Sequence, residues 1–299
     1  MLDKNFFLGR SDANSFWAFG PSDTEVVVSN VECLLPYLPI FLGGWSFRHV
    51  SNGQGVEPDI LIEERSGGNI YVSKISNRIQ FEKFDSEFVA SRDLAEKLVA
   101  IFIARNHDKV CINASGVLVN DELIVCLGLS DVERNTLALQ LTATGHRFFG
   151  GQNLLLRCIK NAEISGICLN LPPKVDLPIP KTLNSRYREF VDSFTEITTC
   201  NTAYLKLWDG EAASFMEEKP LRAIFILHEN NDNPPNIIPA DYDFVYKTLL
   251  ESTQLSDCNE SFIVDSVRFV SEKIESYQLS CSKYADAAKC IVETLRTKL

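Results

Sequence analysis

The chain has 299 residues, 45% of them hydrophobic and 23% charged. That is about two domains of ordinary globular composition, and it excludes a fibrous or disordered chain. Twenty-nine Lys and Arg against 40 Asp and Glu leave a formal charge of −11, a surface that repels phosphate backbones and anionic lipid; neither nucleic acid nor a membrane is expected as partner. Nine cysteines form no CxxC pair, and Cys111 and Cys126 lie inside apolar runs. They read as buried thiols of a reducing compartment rather than as a disulfide framework or zinc site. The N-terminal stretch mixes acids into its apolar residues, unlike a signal peptide. Prolines and glycines break LLPYLPIFLGG before it could span a bilayer. The expectation is a cytoplasmic protein.

In chain order, TEVVVSNVE, DILIEE and NIYVSKI are β-rich runs separated by turn signals at Pro21-Ser22-Asp23, Asn52-Gly53 and Gly67-Gly68. A long helix follows. Asp85 or Ser86 can cap it, and Phe88, Leu94, Leu98, Ile101, Phe102 and Arg105 form its stripe, ending near Asn106. Residues 110–119 and 122–127 read as two strands joined by a tight Asn120-Asp121 turn, the second leading through a turn into a helix over LALQL. NLLLRCIKN is another strand. LPPKVDLPIP is extended and excluded from a helix or central strand by its prolines. RYREFVDSFTEI reads as a helix and LRAIFILHE as a buried strand. Helical patterns at ADYDFVYKTLLEST, residues 260–275 and SKYADAAKCIVETL close the chain. Strand, loop and helix in one unit point to an α/β core.

The stretch from Ile112 to Leu156, INASGVLVNDELIVCLGLSDVERNTLALQLTATGHRFFGGQNLLL, resembles the nucleotide-binding core of the HPr serine kinase/phosphorylase family. That family pairs two strands with a G-x-S-G-x-G-K-S-T phosphate loop, then Gly-His-Arg and an Asp-Asp pair. Gly128, Ser130, Thr136, the LALQL helix and Gly145-His146-Arg147 match its scaffold. LPPKVDLPIP and the C-terminal ESYQLSCSKYADAAKCIVETL are similar to later parts of it, so the resemblance covers roughly residues 86–299. It implies a P-loop kinase-like α/β core, residues 85–299, preceded by a smaller β-rich N-terminal domain, residues 1–84.

The resemblance does not extend to the family's working residues. Two loop glycines fall on Asp131 and Glu133, the lysine on Arg134 and the Mg²⁺ hydroxyl on Asn135. The family histidine falls on Asn113, and its Asp-Asp pair on Gly151 and Gln152. A phosphate loop needs free backbone N–H groups at a helix N-terminus and a cation. A carboxylate about 5 Å from a phosphate charge costs about 3 kcal/mol at an effective dielectric of about 20, so two of them outweigh one arginine. Ser130-Asp131-Val132-Glu133 has instead the S-x-x-E form of a capping box, which satisfies its own helix N-terminus.

These replacements lead to a catalytically degenerate kinase-like protein that binds a protein or peptide partner, with no cofactor, no metal and no catalytic residue. LPPKVDLPIP and the N-terminal aromatics Phe6, Phe7, Phe16, Trp17, Phe19, Trp45 and Phe47 would border the groove. Two alternatives stay open. One is an active phosphotransferase using ATP and Mg²⁺, with Gly128, Ser130, Arg134, Asn135 and Thr136 around nucleotide and Asp131, Glu133 or Asp121 recruited for metal. The other is a structural subunit beside an active homologue. A homo-oligomer is also left open. Gly128-Leu129-Ser130 lacks the second glycine of a nucleophile elbow. His49, His107, His146 and His228 are isolated, and His146-Arg147 reads as packing at the helix-to-strand turn. Asp241-Tyr242-Asp243 opens a helix. Glu63-Glu64 and Glu217-Glu218 read as solvated faces.

Overall fold

The computed structural model describes residues 15–51, 57–65, 69–74, 82–128, 130–158, 163–229, 234–254 and 260–297. Phe6, Phe7, the Asn52-Gly53 and Gly67-Gly68 turn signals, Leu129 and Cys258 lie outside the described residues. The described residues form a mixed α/β structure with three sheets and six α-helices. Among them no helix is long and apolar enough to cross a membrane.

The chain clusters into two compact units, one of residues 1–39 with 45–102, the other of residues 40–44 with 103–299. The first holds strands β1 (Phe16–Phe19), β2 (Val26–Ser29), β3 (Phe47–Val50), β4 (Ile60–Arg65), β5 (Asn69–Lys74) and β6 (Glu82–Phe84), and most of helix α1 (Glu87–Arg105). Its sheet runs β3-β1-β2-β4-β5-β6, antiparallel except for the β2–β4 pair. Phe19, Val26, Val28, Ile60 and Ile62 are buried, as are Leu94, Leu98 and Phe102 of α1. The sequence reading assigns α1 to the following core. In the structure it clusters with the first unit as far as Phe102, because Ser91 Oγ donates to Leu34 O at 3.3 Å and Phe102 meets the Trp45 ring at 5.1 Å. Ser86 caps it, with its Oγ accepting from the Val89 N–H at 3.4 Å.

The second unit continues with β7 (Val110–Ile112), β8 (Ser115–Val119), β9 (Glu122–Leu127), α2 (Asp131–Ala143), β10 (Arg147–Gly150), β11 (Leu154–Cys158), β12 (Ile164–Cys168) and β13 (Lys174–Asp176). After these come α3 (Ser185–Phe194), β14 (Thr195–Thr198), β15 (Thr202–Leu205), β16 (Glu218–Glu229), β17 (Asn236–Pro239), α4 (Tyr242–Ser252), α5 (Glu260–Lys273), β18 (Glu275–Cys281) and α6 (Tyr284–Arg296). The main sheet runs β10-β8-β9-β16-β12-β11-β7. Beyond its first residues β16 also pairs with β18, which pairs with β17. The β9, β16 and β18 strands are parallel neighbours.

Both faces of this sheet are covered, which is why its central strands read as unbroken apolar runs. Ile124 and Cys126 of β9 join α2, α3 and α6 on one side. Leu123, Val125 and Leu127, pointing the other way with the period of two, join α4 and α5.

Two expectations change. The run 110–119 is two strands, not one. It breaks at Asn113 and Ala114, so that β7 pairs with β11 at one edge while β8 lies between β9 and β10. The helix over RYREFVDSFTEI stops at Phe194. The β-branched Thr195, Ile197 and Thr198 fit a pleated strand better, and β14 pairs there with β15. LPPKVDLPIP is extended and outside any central strand, as expected: its Lys174–Asp176 form β13 at the edge of the small β13-β15-β14 sheet, where its prolines are tolerated. The Asn120-Asp121 turn is as expected, with φ of 52° and 69°, the left-handed pair of a two-residue hairpin.

Candidate functional site

Strand β9 delivers the chain to the N-terminus of α2, the place the sequence singles out. Gly128 turns it with φ of +79°. A Cβ there would lie 2.6 Å from Leu227 O, so both backbone geometry and space exclude a side chain. Ser130 is the N-cap of α2 and the capping box is formed. The Ser130 N–H donates to Glu133 Oε2 at 3.1 Å, and the Glu133 N–H donates to Ser130 Oγ at 3.4 Å. The Ser130 hydroxyl donates to Glu133 Oε2 at 2.7 Å, and Tyr284 from α6 reaches Glu133 Oε1 at 3.4 Å. The Arg134 N–H bonds Ser130 O at 3.2 Å. The Ser130 and Glu133 N–H groups are thus taken up by the capping box.

Arg134 points inward. It is 5% exposed, and its guanidinium donates to Gly128 O at 3.0 Å, to Asn113 Oδ1 at 2.8 Å and to the Asp131 carboxylate. Asn113 Nδ2 also donates to Asp131, at 3.2 Å. One side chain from the β7–β8 break, one acid and one arginine therefore close on each other. The next residue of α2, Asn135, is 4% exposed. Its Oδ1 accepts from Ser115 Oγ at 2.8 Å, and the same hydroxyl lies 3.3 Å from Gly151 O. A Cβ on Gly151 would come within 2.8 Å of Asn135 Oδ1, so the absence of a side chain there lets Asn135 sit where it does. Gln152 follows, half-buried. Thr136 bonds its own helix, Oγ1 to Val132 O at 2.7 Å.

The structure thus places these positions in two hydrogen-bonded groups, Asn113, Gly128 and Ser130 around Arg134, and Asn135 with Gly151 through one hydroxyl. Ser115 and Asp131 complete the set. Sequence reasoning missed Ser115, whose only signal is a polar residue in an otherwise apolar strand, and it missed Asn113 as the partner of Arg134. In this arrangement the Arg134 guanidinium is paired with the Asp131 carboxylate, and the Ser130, Glu133 and Arg134 N–H groups bond within the chain. Asp121, one of the acids considered for metal, lies at the opposite end of β9, about 20 Å away for six strand residues. It bonds Lys219 Nζ at 2.6 and 2.7 Å. Among the described residues no three His, Cys, Asp or Glu side chains gather as a metal site.

Away from this loop, Glu217 is not a solvated side chain. Both of its oxygens bond Arg147, at 3.0 and 2.9 Å, and Oε2 accepts from the Ser214 N–H at 2.9 Å. Burial opposes its ionisation, but Arg147, the Ser214 N–H and Lys219 outweigh that and hold the carboxyl below its usual range. Glu218 bonds Ser165 and Arg157. Arg147 also donates to Ala212 O at 3.0 Å, which ties β10 to the turn before β16, the packing role expected of His146-Arg147. Burial, with Arg296 nearby, keeps His146 below its ordinary value.

Burial pushes the thiols of Cys111, Cys126 and Cys168 up to about 12. The buried-thiol reading applies to these three; Cys200 is exposed and Cys33, Cys158, Cys281 and Cys290 are half-buried. Asp241 caps α4, accepting from the Phe244 N–H at 3.0 Å. Of the described N-terminal aromatics, Phe19 and Trp45 are core, Phe16 and Trp17 half-buried, and Phe47 46% exposed.

No family model matches the chain, and no curated protein matches it. Among solved structures, it has a weak neighbour in the HPr(Ser) kinase/phosphatase from Coxiella burnetii, at 11% identity and a TM-score of 0.33, over 63% of this chain and 95% of that one. So low a score marks a distant similarity and decides nothing about chemistry.

Proposed function

We propose that this chain is a catalytically degenerate member of the HPr-kinase-like lineage that acts by binding a protein or peptide partner and does not transfer phosphoryl groups. The observation that carries the reading is the inward-turned Arg134. Its guanidinium bonds Asp131, Asn113 and the Gly128 carbonyl, so the cation at the family's lysine position is already matched with a carboxylate. Opening that cluster for a nucleotide means parting the buried Arg134 guanidinium from the partly exposed Asp131 carboxylate and its other acceptors, charge-assisted hydrogen bonds that contribute about 1.5–3 kcal/mol each, and placing Asp131 and Glu133 beside a polyphosphate. The family's base and metal positions, Asn113, Gly151 and Gln152, carry no ionisable group. With the chemistry gone, the surface that once met a serine-bearing substrate is what remains to act.

A thermal-shift series with ATP, GTP and pyrophosphate, each with and without Mg²⁺, tests this on the full chain. No stabilisation is expected. A stabilising response that disappears in Arg134→Ala would establish the rebuilt nucleotide site instead.

A further inference from the structure

The second unit contains five residues taken from within the sequence of the first. Pro39 and Trp45 cluster with the first unit, while Ile40–Gly44 cluster with the second. The fit of this short segment is close. Phe41 is 5% exposed and meets the Tyr204 ring edge-on, centroids 5.4 Å apart at 89°. Leu42 is buried beside it in sequence. Gly43 lies so near the loop after β12 that a Cβ would stand 2.9 Å from Asn170 O and 3.1 Å from its Oδ1. Gly44 has φ of +66°, and its Cβ would be 3.1 Å from Asn170 Nδ2 and 3.6 Å from Phe215 Cβ.

The receiving surface has its own construction, separate from the segment it holds. Asn170 takes a left-handed φ of 47° and Met216 one of 63°. The Asn170 N–H bonds Cys168 Sγ at 3.1 Å, and the Met216 N–H bonds Cys168 O at 2.8 Å. One residue at the end of β12 thus sets both walls. Tyr204 is placed by β15 between β13 and β14, and the Lys174 ammonium lies 5.9 Å from its ring centre. An aromatic wall, an amide side chain and a floor that tolerates no Cβ read a defined pattern: aromatic, aliphatic, then two glycines.

We propose that Tyr204, Asn170 and Phe215 form a peptide-docking surface selective for an aromatic–aliphatic–Gly–Gly segment, and that Phe41–Gly44 occupies it in cis as an autoinhibitory plug. A partner protein presenting such a segment binds by displacing the plug. The proposal rests on the partner-binding reading for its purpose. The two fail separately, since nucleotide titration does not touch this surface and peptide titration does not touch the α2 N-terminus.

The test uses the full chain and a fluorescent peptide of residues 38–46. A segment tethered in cis competes at an effective concentration of about 1 mM, so the wild type binds the peptide weakly. Phe41→Ala, which vacates the aromatic seat, binds it at least about tenfold more tightly, and a peptide with Gly43 replaced by Ala loses that binding. Equal affinity of wild type and a folded Phe41→Ala, or indifference to the Gly-to-Ala change, overturns the proposal. Should Phe41→Ala not fold, hydrogen exchange on the wild type decides. Saturating peptide is expected to speed exchange across residues 40–44, and unchanged exchange overturns the assignment.

Discussion

Replacing Arg134 separates a structural arginine from one held in reserve for a ligand. In this structure the guanidinium satisfies three acceptors, Gly128 O, Asn113 Oδ1 and the Asp131 carboxylate, from a nearly buried position. Hydrogen bonds involving a charged group contribute about 1.5–3 kcal/mol each, and breaking a buried pair by removing one partner costs about 3–5 kcal/mol, because the other charge is left uncompensated. Asp131 is only partly buried, which places the expected loss at the lower end, about 3 kcal/mol. For a unit of this size each kcal/mol moves Tm by about 2–4 °C, so Arg134→Ala should melt about 6–12 °C below the wild type.

Arg134→Met, which retains an apolar stem of similar length, should recover only the packing part of that loss. Calorimetry or circular dichroism melts without any ligand measure both. If both variants melt within about 2 °C of the wild type, Arg134 is not holding the loop together and the self-satisfied cluster is not what stabilises it.

Three further outcomes follow from the same geometry. Gly128→Ala forces a side chain into a left-handed turn against Leu227 O. It should cost at least about 2 kcal/mol in urea titration, and a neutral result would refute the described turn. Ser130→Ala removes one half of the capping box and should cost about 1 kcal/mol; Ser130→Thr, which keeps a hydroxyl to accept from the Glu133 N–H and to donate to its carboxylate, should cost less. Glu217 has a depressed carboxyl pKa, so its contribution is present above the unfolded value near 4.5 and is lost as pH falls through the folded one. The Tm deficit of Glu217→Gln should be full at pH 7 and shrink as the pH falls below 4.5 through the depressed folded value. A deficit independent of pH would show that the Arg147 pair is not its source.

How much of this was legible in the sequence follows the range of each interaction. The capping box and the Asp241 cap are contacts across three residues, and their spacing alone announces them. The apolar run of β16 identifies a strand covered on both faces. Arg134 is different: it meets Asn113 across 21 residues, and nothing in either local segment indicates that partnership. Likewise Glu217 seemed destined for solvent because its partner Arg147 stands 70 residues earlier. The break at Asn113 was hidden because strands apolar on both faces carry no alternation to mark where one ends. The helix boundary at Phe194 was overrun for a related reason, since Phe-Thr-Glu-Ile continues a helical stripe until Ile197 is paired opposite Tyr204.

The most direct measurement is hydrogen exchange of the amides from 128 to 136, with and without MgATP at millimolar concentration. The account predicts that this segment, already bonded to Ser130, Glu133 and their neighbours, exchanges at the same rate in both conditions. Added protection over these residues with MgATP, lost in Arg134→Ala, would contradict it.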